Sequence, residues 1–78
     1  MIEFDEELDL CGLSCPLPTL RAGKALARME PGRVLRVIAT DPSTAKDIPA
    51  FVRNSGNELL EFREDGGKYY YLLRKAEG

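Results

Sequence analysis

The sequence has no histidine and no tryptophan, and only two cysteines among 78 residues. Without histidine the usual general base, the commonest metal ligand and any Cys–His nucleophile pair are all missing. Two cysteines alone do not complete a tetrahedral zinc set from one chain. No metal and no cofactor is therefore expected. No apolar run approaches the ~20 residues that cross a bilayer, so no membrane span is expected. The acidic first residues lack the basic start of a secretory signal. The expected compartment is the cytoplasm, where thiols stay reduced. Long linkers, repeats and low-complexity stretches are absent too, which makes residues 1–78 a single domain. A chain of this size buries roughly 60–65% of its unfolded surface, leaving little room for a large catalytic cleft.

Net charge is −2, from 11 Lys+Arg and 13 Asp+Glu. This balance gives no general attraction to nucleic acid, and no direct nucleic-acid binding is expected. The distribution is uneven. Glu3, Asp5, Glu6, Glu7 and Asp9 crowd the first nine residues, and the remaining body is weakly basic. The lead-in reads as a solvated acidic segment. The body reads as a surface able to meet an acidic partner.

Leu8–Leu10, extendable back to Phe4, alternates apolar with acidic and predicts a strand. Pro16 suits the first helical position, which places Cys15 at the N-cap of a helix reaching Met29. Glu30-Pro31-Gly32 stops that helix. At 100° per residue, Leu20, Ala22, Gly23, Leu26, Ala27 and Met29 form its apolar side. Arg21, Lys24 and Arg28 share the other side with Leu17. Gly23 is expected to permit close approach to the sheet. Residues 34–40 are β-prone. Residues 44–54 predict a second helix interrupted by Pro49, with a short first turn and the main cap at Asp47 or Ile48. Residues 59–63 and 69–74 are strands joined by Asp65-Gly66-Gly67, a hairpin signal. Leu60, Phe62, Tyr69, Tyr71 and Leu73 should face the helices, and Tyr70, Leu72 and Arg74 the opposite side. The order β-α-β-α-β-β, with a right-handed parallel first unit and a terminal hairpin, predicts a two-layer α/β sandwich. Its four-stranded mixed sheet would carry both helices on one face.

The segment Cys11-Gly12-Leu13-Ser14-Cys15-Pro16-Leu17-Pro18 carries the chemistry. A thiol at a helix N-terminus is favoured as thiolate, so Cys15 is expected to titrate below an ordinary cysteine. Pro16 and Pro18 lack N–H groups and stiffen the turn. They leave Leu17 and Thr19 as free donors for a sulfur anion. Cys11, at a strand end, reads either as a packed residue or as a second thiol able to close a disulfide with Cys15. Arg21, Lys24 and Arg28 run down the helix from the thiol, either as a solvated face or as a partner-binding stripe.

Asp9-Leu10-Cys11-Gly12-Leu13-Ser14-Cys15-Pro16-Leu17-Pro18 resembles the signature of the TusA/SirA family of sulfur carrier proteins. The resemblance continues through Pro31-Gly32, Asp41-Pro42, Asp47-Ile48-Pro49, Gly56 and Tyr71-Leu72-Leu73-Arg74-Lys75, covering about residues 8–75. It implies the same two-layer fold and a persulfide-carrying cysteine. Cys15 matches the family's active cysteine, Pro16 and Pro18 match its two prolines, and Cys11 lies outside the motif. Members that feed transfer-RNA thiolation often carry an acidic residue where Leu17 stands. The implied partners are a sulfur donor, such as a cysteine desulfurase or rhodanese-like protein, and a sulfur acceptor protein. A monomer is expected. Two other classes stay open. One is a thiol–disulfide oxidoreductase using Cys11 and Cys15, although the spacing is not Cys-x-x-Cys. The other is a non-catalytic RNA- or protein-binding adaptor.

Overall fold

The computed structural model describes residues 4–76. The elements are β1 (Glu6–Leu10), α1 (Leu17–Arg28), β2 (Val34–Ala39), α2 (Thr44–Asn54), β3 (Glu58–Asp65) and β4 (Lys68–Arg74). The sheet order is β1-β2-β4-β3. β1 pairs parallel to β2, while β4 runs antiparallel to both β2 and β3. This is the expected two-layer α/β arrangement with a mixed four-stranded sheet, and its smallest extent is 17 Å.

Period-2 alternation in the strands and an i, i+4, i+8 row on each helix build one core. Pro18, Ala22 and Leu26 are buried on α1, and Thr44, Ile48 and Val52 on α2. They meet Leu10, Leu35, Val37, Ala39, Tyr71 and Leu73 from the sheet. Burial of such side chains contributes roughly 1.5–3 kcal/mol each. One polar pair lies inside this layer: the Tyr71 hydroxyl donates to Thr44 Oγ1 at 2.7 Å, and Thr44 Oγ1 donates to the Asp41 carbonyl at 2.7 Å. This chain fixes the start of α2 against β4.

Several local expectations are corrected. α1 begins at Leu17, with Pro16 as its N-cap and no capping side chain, so Cys15 lies one residue outside the helix. Leu20 is 62% exposed and Ala27 is also exposed, so neither belongs to the core side. Gly23 permits approach to α2, not to the sheet: a Cβ there would lie 2.7 Å from the Phe51 ring. α2 is continuous through Pro49 and starts at Ser43–Thr44. Its entry is a tight turn, in which Thr44, Ala45 and Lys46 N–H groups bond the carbonyls of Asp41, Pro42 and Ser43. No second cap at Asp47 or Ile48 is needed. In β3 a register shift between Leu59 and Glu61 places Leu59 opposite Leu73 and Phe62 opposite Tyr71. The irregularity takes Leu60 out of the alternation, so Leu59 and Phe62 face the helix side, each partly exposed. A β-bulge has this effect by adding one unpaired residue. The hairpin turn is Gly66-Gly67, both with positive φ, the geometry of a type I′ turn.

The acidic lead-in is less solvated than its composition implies. Asp5 accepts from Val34 N–H at 2.9 Å and pairs with Arg33 at 3.2 Å, and Glu7 pairs with Arg36 at 2.9 Å. Residues 1–3, including Glu3, lie outside the described chain.

Candidate functional site

β1 and β2 are parallel, so the segments leaving their carboxyl ends come together, which is where open α/β sheets place their sites. Residues 11–16 follow β1 and residues 40–43 follow β2. Gly12, with φ of +83°, turns the chain away from the sheet edge. Its N–H donates to Thr40 Oγ1 at 2.9 Å. The Cys15 N–H donates to Asp41 Oδ2 at 2.6 Å, and Asp41 Oδ1 accepts from Ser43 N–H at 3.0 Å. Both backbone bonds hold the Asp41 carboxyl below the ordinary carboxylate range. Asp41 thus ties the cysteine loop to the start of α2.

The Cys15 side chain is exposed, and its Sγ–H donates to Asp47 Oδ2 at 3.4 Å. The Cys15–Pro16 bond is cis. Pro16 is exposed at the cap, whereas Pro18 is fully buried under the first turn of α1. Pro18 therefore anchors the helix end by packing as well as by stiffness.

The electrostatics reverse the expected direction. The Cys15 thiol is pushed up from its ordinary value, first by the hydrogen bond to Asp47, then by desolvation and the negative charge of Asp47, with Asp41 adding to it. Part of the anticipated help from the helix end is removed by geometry. Cys15 is not the cap, and the Leu17 N–H is engaged by the Ser14 carbonyl at 3.0 Å. Opposing the carboxylates is Ser43, which favours the Cys15 sulfur anion. Its Oγ is buried and makes no hydrogen bond among the described residues. Cys11 is also pushed up, chiefly by its hydrogen bond to Asp9, and its own N–H donates to Asp9 Oδ1 at 3.0 Å. Each thiol thus has its own aspartate, and both are free cysteines.

Beside the thiol, one face of α1 forms a groove lined by Leu8, Leu17, Leu20, Arg21, Lys24, Ala25 and Arg28. The three cations do share a face with Leu17, as their spacing predicts. The exposed Leu20 joins them and gives the stripe an apolar floor that sequence periodicity missed. Asp41, Ser43 and Asp47 were also missed as neighbours of Cys15. The signal that could have found them was topological: in a parallel βαβ unit, a polar turn after the second strand lies beside the loop after the first. Among the described residues, no group of three or more Cys, Asp or Glu is placed to hold a metal ion. No helix among the described residues is long and apolar enough to cross a membrane.

The three consecutive tyrosines separate. Tyr71 is buried and Tyr69 packs against the core. Tyr70 lies on the opposite sheet face, between the guanidinium groups of Arg36 at 5.2 Å and Arg63 at 5.0 Å.

Residues 6–75 match the family model described as Sulfurtransferase TusA. A sulfur carrier protein TusA from Allochromatium vinosum is 55% identical over 76 residues, 97% of this chain and all of that protein. A sulfur carrier protein TusA from Pseudomonas paraeruginosa is 46% identical over 71 residues, 91% of this chain and 90% of that one. The crystal structure of a SirA-like protein from Desulfitobacterium hafniense superposes with a TM-score of 0.82 at 27% identity, covering 94% of this chain and all of the other. The fold, the order of the motifs and these matches agree: the chain belongs to the TusA sulfurtransferase family.

Proposed function

We propose that this protein is a sulfur carrier, which accepts sulfane sulfur from a donor protein, holds it as a persulfide on Cys15 and passes it to an acceptor protein. The carrying observation is an exposed thiol on a loop whose backbone is pinned by Thr40 and Asp41. Rigid presentation without a surrounding pocket suits a group that must enter a partner's active site. Transfer is exchange at sulfur: the Cys15 sulfur attacks the outer sulfur of the donor persulfide, that S–S bond breaks, and the donor leaves as a thiolate. Onward transfer repeats the exchange with Cys15 as the leaving group. The donor would be a cysteine desulfurase or a rhodanese-like protein, and the exchange would take place in the cytoplasm.

Intact-mass measurement after incubation with a persulfide donor tests the assignment. The expected outcome is a gain of one sulfur, mapped to Cys15 and abolished by Cys15→Ser. Sulfur retained by Cys15→Ser, or found only on Cys11, overturns it. Loading that persists in Cys11→Ser separates a carrier from a Cys11/Cys15 oxidoreductase.

The groove on α1 is the docking face in this reading. Arg21, Lys24 and Arg28 would steer an acidic partner surface, and exposed Leu17 and Leu20 would receive an apolar side chain from it. Charges of this kind act mainly on association rate and salt dependence. Reversing all three cations to Glu is expected to slow loading from the donor protein at low salt while sparing loading from a small persulfide. Unchanged protein-to-protein transfer in a folded triple variant would reduce the stripe to the polar side of an amphipathic helix.

A further inference from the structure

The carrier sulfur is hydrogen-bonded to Asp47 of α2, and Ser43, at the start of the same helix, is tied to the cysteine loop because the Ser43 and Cys15 N–H groups both donate to the Asp41 carboxylate. Asp47 Oδ2 is 3.4 Å from Cys15 Sγ and, as a carboxylate, can only accept. Ser43 can donate, yet its Oγ is buried without a hydrogen-bond partner among the described residues. A buried hydroxyl left unpaired in a native fold calls for an explanation. Ser43 stands at the N-cap of α2, yet its hydroxyl makes no capping bond to that helix.

We propose that Asp47 and Ser43 form a two-position holder for the transfer sulfur: Asp47 accepts the S–H of the empty carrier, and the Ser43 hydroxyl donates to the sulfur once it is an anion. The inference rests on Cys15 being the carrier sulfur. It assigns positioning roles to two residues at the start of α2.

The physical logic follows the number of protons on sulfur. While Cys15 is a thiol, its hydrogen satisfies Asp47, and the nearby carboxylates of Asp47 and Asp41 disfavour ionisation. The empty carrier therefore rests in its less nucleophilic form. When the proton leaves, the bond to Asp47 is lost and sulfur faces a carboxylate. The sulfur anion is then drawn to the Ser43 hydroxyl, an unpaired donor that favours it. Once Cys15 Sγ bears an outer sulfur, Sγ has no hydrogen to give Asp47 either, and the negative charge sits on the outer sulfur. Charged groups facing the thiol are Asp47 from α2 and Asp41 from the β2–α2 turn. Lys68 acts on Cys11 and Asp9, not on Cys15.

The test is the pH profile of iodoacetamide alkylation in the full chain, with each thiol read separately by peptide mapping. Asp47→Asn should move the Cys15 midpoint down and speed its alkylation at neutral pH several-fold, since each unit of midpoint is about tenfold in thiolate. Asp47→Glu, which keeps the carboxylate, should stay close to the parent. Ser43→Ala should move the midpoint up. Cys11 serves as the internal control and should be unchanged throughout. Opposite movements for the two variants support the holder. Movement in the same direction, or no movement in folded variants, overturns it. Ser43→Ala removes no capping bond, so an unmoved or lowered midpoint in that variant overturns the holder even if Asp47→Asn fails to fold. The alkylation profile does not depend on sulfur loading. Opposite midpoint shifts without mass gain on Cys15 would keep the holder and remove the carrier, and mass gain with unmoved midpoints would do the reverse.

Discussion

The two faces of the sheet solve the problem of covering a β-surface in different ways. The helix-side face buries Leu10, Leu35, Val37, Ala39, Tyr71 and Leu73 almost completely beneath α1 and α2. No element covers the other face among the described residues, and it covers itself. Its residues form rows across β1-β2-β4-β3: Glu7, Arg36, Leu72 and Glu61 in one, Asp9, Ile38, Tyr70 and Arg63 in the next. Opposite charges and rings alternate along and between these rows. Arg36 pairs with Glu7 and lies 5.4 Å from the Phe4 ring and 5.2 Å from the Tyr70 ring. These long side chains lay their apolar stems over the sheet and keep their charges in water. They bury Leu72 to 8% exposure and leave a shallow cavity of about 130 Å³. One face is held by close packing, the other by flexible polar side chains. A small domain with two helices can thus leave half its sheet open without exposing a large apolar patch.

The sharpest way to break this comparison is to cut into the packed face. Leu26 is 1% exposed and packs in the main cluster. Leu26→Ala is expected to cost about 2–5 kcal/mol, from lost burial plus the cavity left behind. That is a large share of what a domain of this size has. Urea unfolding measures it. A cost under about 1 kcal/mol would mean that the helix layer is loosely packed and that the two faces are alike.

What the sequence made legible follows the same division. The packed face was readable because burial imposes period: Leu35, Val37 and Ala39 alternate, and Ala22 and Leu26 recur at i+4. The hairpin was readable from Gly66-Gly67. The carrier motif was readable because Gly12, Cys15, Pro16 and Pro18 fall within one short segment, residues 12–18. What failed depended on partners distant in sequence or on a local break in period. Asp41 and Asp47 reach Cys15 across 26 and 32 residues, and they turned an expected rise in acidity into a fall. The register shift at Leu59–Glu61 moved Leu60 out of phase without any Gly or Pro to mark it. Leu20 satisfied the helical period but lies beyond the edge of the sheet's cover, where it serves the groove instead.

Acid should act on the polar ties and leave the packed face alone. Asp5 is held below the ordinary carboxylate range first by the Val34 N–H and further by Arg33, Asp9 by the Cys11 N–H, and Asp41 by the Ser43 and Cys15 N–H groups. Each is lower in the folded than in the unfolded chain. Their contribution is therefore complete above the unfolded carboxylate value and is lost as pH falls through the folded values. The thermal midpoint should be flat near neutrality and decline below about pH 5. Leu26→Ala should lower the whole curve without changing where the decline begins. A midpoint that does not fall in acid would show that these three carboxylates contribute nothing to the folded state. A changed onset in Leu26→Ala would show that the two kinds of support are coupled.

The smallest expected effect lies on the open face itself. Arg63 is exposed on β3, directly opposite Tyr70, with its guanidinium 5.0 Å from the ring. An exposed cation–π contact contributes roughly 0.5–1 kcal/mol. Arg63→Ala removes that contact and the apolar stem that shades the sheet, but leaves Arg36 on the same ring. The expected loss is therefore at most about 1 kcal/mol, well below that of Leu26→Ala. Arg63→Met separates the two contributions, because it restores the stem without the charge. Recovery of most of the loss by Met would identify shading of the sheet as the role of Arg63. No recovery would assign the loss to the cation. A cost for Arg63→Ala as large as that for Leu26→Ala would mean that the polar layer is a second core, and the contrast between the two faces would fall.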